Sequence, residues 1–234
     1  DEDEEEAFQY MFWLEPIDNP FDIDLETGQI TVAPGASLNY EARSVYELKV
    51  RVDDRGNLFS ITDITVIVQD LNEAPQLMGG MGVLGSIAEN SANGAALTSF
   101  VFAIDEDLGQ SLTFEIVGGN ELGVFGIRNK VGALSPTAEL FVANRAFLDF
   151  ETNPQFNLTI RATDDGTPPL SDTNWFVVAL TDVNERPFFP PQDFYVSEDI
   201  VRQTPVGVPL LNVTEDPDAG DVMTFVIQSY NDDR

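Results

Sequence analysis

Phe156-Asn157-Leu158-Thr159-Ile160-Arg161-Ala162-Thr163 sets an apolar side chain at every second position and then turns at Asp164-Asp165-Gly166. A period of two belongs to a half-buried strand, so Phe156, Leu158, Ile160 and Ala162 are predicted to face a core. About 110 residues earlier Tyr46, Leu48, Val50 and Val52 alternate with Glu47, Lys49, Arg51 and Asp53 and run into Asp54-Arg55-Gly56. The closing strands match as well. Phe176, Val178 and Leu180 alternate into Thr181-Asp182-Val183-Asn184-Glu185-Arg186-Pro187, as Ile64, Val66 and Val68 alternate into Gln69-Asp70-Leu71-Asn72-Glu73-Ala74-Pro75. The terminal proline cannot donate to a sheet ladder, so each copy ends its strand there.

Self-similarity at this spacing is the mark of a repeat array, and 234 residues hold about two domain equivalents. Asp105-Glu106-Asp107 precedes Leu112-Thr113-Phe114, Asp216-Pro217-Asp218 precedes Met223-Thr224-Phe225, and Asp1-Glu2-Asp3 precedes Phe8-Gln9-Tyr10. The chain is therefore divided into a repeat over 1–75 lacking its N-terminal strand, a complete repeat over 76–187, and the N-terminal part of a third over 188–234. No long segment carries a helical apolar stripe, and short alternating strands separated by Gly, Pro, Asn and Asp turns predict an antiparallel β-sandwich per repeat. Met78-Gly79-Gly80-Met81-Gly82-Val83 is too rich in glycine for a strand and reads as a flexible entry to the second repeat.

Composition narrows the function. Hydrophobic residues make up 43% of the chain, enough to fold despite a net charge of −30. Forty-one acidic against eleven basic side chains exclude nucleic acid as a partner and favour cations. With no cysteine and no histidine, disulfides, thiolate chemistry and the usual zinc ligands are excluded, leaving oxygen ligands. No apolar run of membrane-spanning length and no secretory leader occurs, so the chain is expected to be an interior fragment. Asn157-Leu158-Thr159 and Asn212-Val213-Thr214 fit the N-glycosylation sequon.

Together these motifs resemble the extracellular cadherin repeat over essentially the whole length. Phe21-Asp22-Ile23-Asp24-Leu25-Glu26-Thr27-Gly28-Gln29-Ile30 looks like that family's F-x-I-D-x-x-T-G-x-I. In the second repeat A-E-N (88–90), D-x-D (105–107), L-D-F-E (148–151), A-x-D-x-G (162–166) and D-x-N-E-x-P (182–187) follow in the family's order. The resemblance implies an all-β fold of tandem Ig-like Greek-key sandwiches joined by short calcium-binding linkers. It implies a Ca2+ cage from Glu89, Asp149, Glu151, Asp182, Asn184 and Glu185, with Asp216 and Asp218 and the carbonyls of Val183 and Arg186. It implies a second cage from Asn39, Glu41, Asn72, Glu73, Asp105, Asp107 and Asp164, with the carbonyls of Leu71 and Ala74. Asn39 replaces the family's Asp, and Glu73 and Glu185 replace its commoner Asp with a longer arm. Asp1, Asp3 and Asp54 would serve a cage with a preceding domain.

Physical chemistry favours the same ion, because calcium takes six to eight oxygens and relieves the repulsion of gathered carboxylates. Turn aspartates often do no more than bond their own backbone, but turn chemistry has no use for Glu89, Glu151 and Glu185. A carboxylate pair such as Asp149 and Glu151 also suits glycoside hydrolysis, yet no aromatic-lined cleft is signalled beside it, so no catalytic residue is expected. Trp175 is expected at a partly buried edge position. The reading is a non-enzymatic, calcium-rigidified ectodomain segment of a membrane-anchored adhesion protein, binding another cadherin-like protein homophilically or heterophilically. A passive spacer or filament module, and a carbohydrate-binding sandwich, are the alternatives.

Overall fold

A computed structural model describes residues 10–54, 56, 58–80, 82–130 and 136–227. Asp1 and Asp3, with the rest of the N-terminal acidic run, lie outside the described residues, as do Arg55 and Met81. The chain divides into two compact units. One joins the stretch ending at Pro75 to Asp105–Ser111 and Asp164–Leu170; the other holds the remainder.

In the first unit β1 (Tyr10–Glu15), β4 (Val45–Asp54) and β5 (Phe59–Ile67) form an antiparallel sheet in the order β1-β4-β5, and β2 (Phe21–Ile23) pairs with β3 (Ile30–Val32). Register sets Leu48 opposite Ile64 and Tyr46 opposite Val66. Phe21, Tyr46 and Leu48 are its buried centre, with the Phe21 and Tyr46 rings edge to face at 5.2 Å. Val50 is buried too, whereas Ile64, Val66 and Val68 are half-buried. The F-x-I-D-x-x-T-G-x-I segment is the β2–β3 turn. Asp24 Oδ1 accepts from the Thr27 and Glu26 N–H groups at 2.7 and 3.0 Å, and these bonds, Thr27's first, hold its carboxyl below the usual range. Gly28 takes φ +71° where a Cβ would press on the Phe12 ring.

The second unit is a two-sheet Ig-like sandwich of β6 (Gln76–Met78), β7 (Val83–Ala88), β8 (Ala96–Ile104), β9 (Thr113–Gly118), β10 (Phe125–Lys130), β11 (Thr137–Val142), β12 (Gln155–Thr163) and β13 (Ser171–Thr181). One sheet runs β10-β11-β8-β6 and the other β7-β13-β12-β9. The alternation of β12 and β13 is realised residue by residue: Leu158, Ile160, Ala162 and Val178 have no exposed surface, and Phe156, Phe176 and Leu180 are buried beside them.

The glycine-rich stretch 78–83 is where the first strand of this sandwich changes sheets. β6 pairs antiparallel with β8, and after the switch β7 pairs parallel with β13. Gly79 and Gly80 take φ of +78° and +91°, and Asn174 Nδ2 donates to the Gly79 carbonyl at 2.9 Å. A Cβ on Gly80 would stand 2.5 Å from the Asn174 side chain. Residues 188–227 add one bridge, Phe188 to Glu215, and a 3-10 turn at Leu210–Val213, with no strand among the described residues. Their apolar side chains Tyr195, Val201, Val222 and Ile227 are exposed, with no second layer packed on them among the described residues.

Gly80→Ala is therefore expected to lower stability by about 1–3 kcal/mol, since alanine is strained at that φ and Asn174 must move. Urea unfolding of the variant beside a Gly82→Ala control checks this, because Gly82 has open space around its Cβ position.

Candidate metal centres

Glu89 follows β7, whose parallel pairing with β13 brings Ala88 beside Thr181. The side chain turns inward to 4% exposure and accepts two backbone hydrogen bonds: Oε1 from the Val183 N–H at 2.7 Å and Oε2 from the Phe150 N–H at 2.6 Å. One carboxylate thus ties the L-D-F-E loop to the exit from β13. Hydrogen bonds from backbone amides to a carboxylate at these lengths are strong, and they fix this side chain in place.

Around that anchor other carboxylates collect. Glu89, Glu151 and Glu185 each offer an oxygen within 4.8 Å of the others, as do Glu151, Asp182 and Asp218, and again Asp216, Asp218 and Asp221. Asp218 is buried and its Oδ2 accepts the Glu185 N–H at 2.7 Å, while the Asp218 N–H donates to Asp216 Oδ1 at 3.2 Å.

The first unit repeats the arrangement. Glu41, Glu73 and Asp107 bring oxygens within 4.8 Å of one another. Asp107 is buried, its Oδ2 accepts the Glu73 N–H at 2.9 Å, and its own N–H donates to Asp105 Oδ1 at 3.1 Å. Asn72 Nδ2 donates to Asp164 Oδ2 at 3.3 Å and to the Pro168 carbonyl at 3.1 Å, and its Oδ1 accepts from Gln110 Nε2 at 2.6 Å. Buried Asp164 accepts the Gly166 and Leu170 N–H groups, and a Cβ on Gly166 would collide with the Asn72 amide. Glycine in the A-x-D-x-G motif thus makes room for the neighbouring asparagine.

The electrostatics fit a hard cation. The ion pairs among the described residues use Asp53, Asp63, Glu115 and Glu139, none of them in either cluster. Burial, then the charges of Glu41 and Asp107, pushes the Glu73 carboxyl above the ordinary range. Burial, then Glu89 and Glu151, does the same to Glu185, and burial raises Asp105, Glu151 and Asp182. Glu73 Oε2, Asp105 Oδ2 and Glu185 Oε2 are buried with no hydrogen-bond partner among the described residues. Orphaned carboxylate oxygens beside like charges are what a calcium ion would neutralise, and an all-oxygen donor set is what calcium selects.

Two of the expected ligands, Asp149 and Asn39, also hold local hydrogen bonds. Asp149 Oδ1 accepts the Thr152 N–H at 2.8 Å and Oδ2 the Thr152 hydroxyl at 3.0 Å; Asn39 Oδ1 accepts the Ala42 N–H at 2.5 Å while Nδ2 donates to Glu106 Oε2 at 2.9 Å. Asp54 likewise holds its own turn through Gly56 and Leu58. Among the described residues no hydrogen bond ends on the carbonyls of Leu71, Ala74, Val183 or Arg186, and Asn184 turns its amide Nδ2 to the Glu185 carbonyl at 3.0 Å. Asp221 and Gln110 were not anticipated. Asp221 follows the D-x-D motif by three residues, a spacing visible in the sequence, whereas Gln110 carries no charge and no motif marks it.

Glu89→Ala removes the acceptor for two buried N–H groups and is expected to destabilise the second unit by about 2–4 kcal/mol, read by urea unfolding. The pH dependence has a definite sign. Carboxyls whose folded pKa lies above the unfolded value stay protonated in the folded chain after the unfolded chain has ionised. Their contribution is present at low pH and is lost as pH rises through the folded pKa. In a chelator the contribution of these groups to the melting temperature is therefore expected to decline as pH rises above the ordinary carboxyl range of about 4, and calcium is expected to remove that decline.

Comparison with known proteins bears on the family and the fold. Residues 84–181 match the Cadherin domain family. Protocadherin Fat 4 of Mus musculus is 35% identical over 205 residues, covering 85% of this chain and 4% of that protein. Human Protocadherin gamma-A5 is 30% identical over 211 residues, covering 88% of this chain and 21% of that protein. The solved structure of Protocadherin Gamma B2 extracellular cadherin domains 3-6 shares 27% identity and a TM-score of 0.67, covering 90% of this chain and 49% of its own. The chain thus spans a small part of these relatives, which are cadherins and not enzymes. Sequence, sandwich and relatives agree, and the chain is a member of the cadherin superfamily, with a cadherin domain at residues 84–181.

Proposed function

We propose that this chain is a calcium-stiffened segment of an extracellular adhesion protein, with repeat boundaries near residues 75/76 and 187/188. The observation that carries the reading is the recurrence, in two separate clusters, of a glutamate with a buried, partnerless Oε2 whose N–H donates to a buried aspartate. Glu41, Glu73, Asp105 and Asp107 are the carboxylates proposed to hold calcium in the first cluster, and Glu89, Glu151, Asp182, Glu185, Asp216 and Asp218 in the second. Asn39, Asn72, Asp149, Asp164, Asn184 and the carbonyls of Leu71, Ala74, Val183 and Arg186 complete the oxygen set. Bound calcium would supply positive charge to these oxygens, and backbone N–H groups hold one oxygen of Asp105, Asp107, Asp216 and Asp218 still while leaving its mate for the ion.

The functional consequence is mechanical. Calcium that binds only the aligned arrangement of successive repeats shifts the population towards it, which stiffens the array. Extracellular modules bind calcium at about 10⁻⁴–10⁻³ M, so the array would respond to the calcium level of the extracellular space. Adhesion to another cadherin-like protein, homophilic or heterophilic, is the role such an array would serve, in a parent protein held at the cell surface. No helix among the described residues is long and apolar enough to cross a membrane.

Millimolar calcium against EGTA is expected to raise the melting temperature. A site of about 10⁻⁴ M affinity contributes about 1.4 kcal/mol at 1 mM. Glu73→Gln and Glu185→Gln are each expected to weaken binding about tenfold or more, read by calorimetric titration. An identical melt and identical small-angle scattering with and without calcium would overturn the reading. Calcium-dependent aggregation of coated beads tests the adhesive step separately.

A further inference from the structure

We propose that Asn157 carries an N-linked glycan whose first N-acetylglucosamine packs on the exposed indole of Trp175. The inference rests on the secretory location proposed above. Asn157-Leu158-Thr159 lies on β12, where Asn157 is exposed between buried Phe156 and Leu158, so its amide points away from the core. Its side chain takes part in no hydrogen bond among the described residues, and on the β9 side the residue paired with Thr159 is Gly118, which has no side chain to crowd a sugar.

The other neighbouring strand supplies the platform. Register on β13 sets Val177 opposite Asn157 and Trp175 opposite Thr159, which makes Trp175 the diagonal neighbour of Asn157 on the same outward face. Diagonal cross-strand neighbours stand about 7–8 Å apart, within reach of the first sugar on an asparagine. Trp175 is 44% exposed, a large apolar surface that the chain itself leaves uncovered. The C–H face of a pyranose is a fitting cover for an indole. The second sequon differs: Asn212 lies on the turn Leu210–Val213 and has no cross-strand neighbour, and the Thr214 hydroxyl donates to the Leu210 carbonyl at 2.8 Å.

The chemistry is a glycosyl transfer from a lipid diphosphate-linked oligosaccharide by the secretory pathway's transferase. Asn157 Nδ2 forms a bond to the anomeric carbon, the bond from that carbon to the diphosphate oxygen breaks, one amide proton passes to a base of the transferase, and the lipid diphosphate leaves.

The test is to secrete the whole chain from animal cells behind a cleavable signal peptide and to map its peptides after PNGase F in 18O-labelled water. Conversion of Asn157 to labelled Asp is expected. Asn157→Gln and Thr159→Ala should each lose one glycan mass, and Thr159→Ser should keep it. With Trp13→Phe leaving Trp175 as the only tryptophan, acrylamide quenching should rise when PNGase F removes the whole glycan. It should stay low when an endoglycosidase leaves the first sugar in place. A secreted chain that binds calcium yet is bare at Asn157 overturns the site without touching the calcium reading. Quenching that ignores removal of the first sugar overturns the packing.

Discussion

Carboxylate oxygens gathered within 4.8 Å of one another, with no lysine or arginine in the cluster, are the constraint around which the ends of these sandwiches are built. Left alone, such a group repels itself, and burial makes the repulsion worse because the interior screens charge poorly. The chain answers only part of that cost. Backbone N–H groups of Phe150 and Val183 neutralise some of the charge on Glu89, and those of Glu185 and Glu73 do the same for Asp218 and Asp107. The remaining oxygens of Glu73, Asp105 and Glu185 have burial without a donor. A surface designed merely to be acidic and soluble would place these groups in water, where repulsion is screened and no orphan arises.

Strand pairing is what brings the acids together. The parallel pairing of β7 with β13 carries Glu89 to the start of the D-x-N-E-x-P exit, and the buried core of β12 and β13 holds that exit in place. Because a one-residue slip would turn every core side chain outward, the full burial of Leu158, Ile160 and Val178 also determines where the carboxylates emerge. Packing in the core and electrostatics at the end are therefore two readings of one register. The crossover at Gly79 and Gly80 belongs to the same mechanism, since it lets one strand close the first sheet and then deliver Glu89 from the second.

The strands with strict alternation were legible in the sequence because burial on one face imposes a period that composition alone can reveal. The repeat was legible because each copy needs the same turn and exit. The stretch from Met78 to Val83 was not, since a strand that changes sheets has no single inward face and its glycines carry no hydrophobic signal. Residues 188–227 resemble a repeat in motif, and in the structure Phe188 and Glu215 bridge and Phe189 meets Phe225 edge to face, while strands with strict alternation are lacking among the described residues there. At the site, glutamates and aspartates could be named from their motifs, but not which oxygen of each was already spent on the backbone. Gln110 escaped because its contribution, a 2.6 Å bond that orients Asn72, depends on contacts distant in sequence.

Asn39 and Asp149 show how the motif divides its labour. Each occupies the same place in its repeat, each accepts the N–H three residues on through Oδ1, and each carbonyl accepts the N–H four residues on, from Arg43 and Asn153. An amide oxygen performs that task as well as a carboxylate oxygen, so asparagine at 39 keeps the turn while removing one negative charge from a crowded cluster. It also gains a donor, and Nδ2 uses it on Glu106, an acid that would otherwise add to the repulsion. Glu41 and Glu151, two residues further on, are under a different demand: they project into the carboxylate triads, where their charge adds to the attraction for a cation. An amide thus suffices for the turn at position 39, whereas the carboxylates at 41 and 151 bring charge to the triads, a division of roles that follows from hydrogen-bond chemistry.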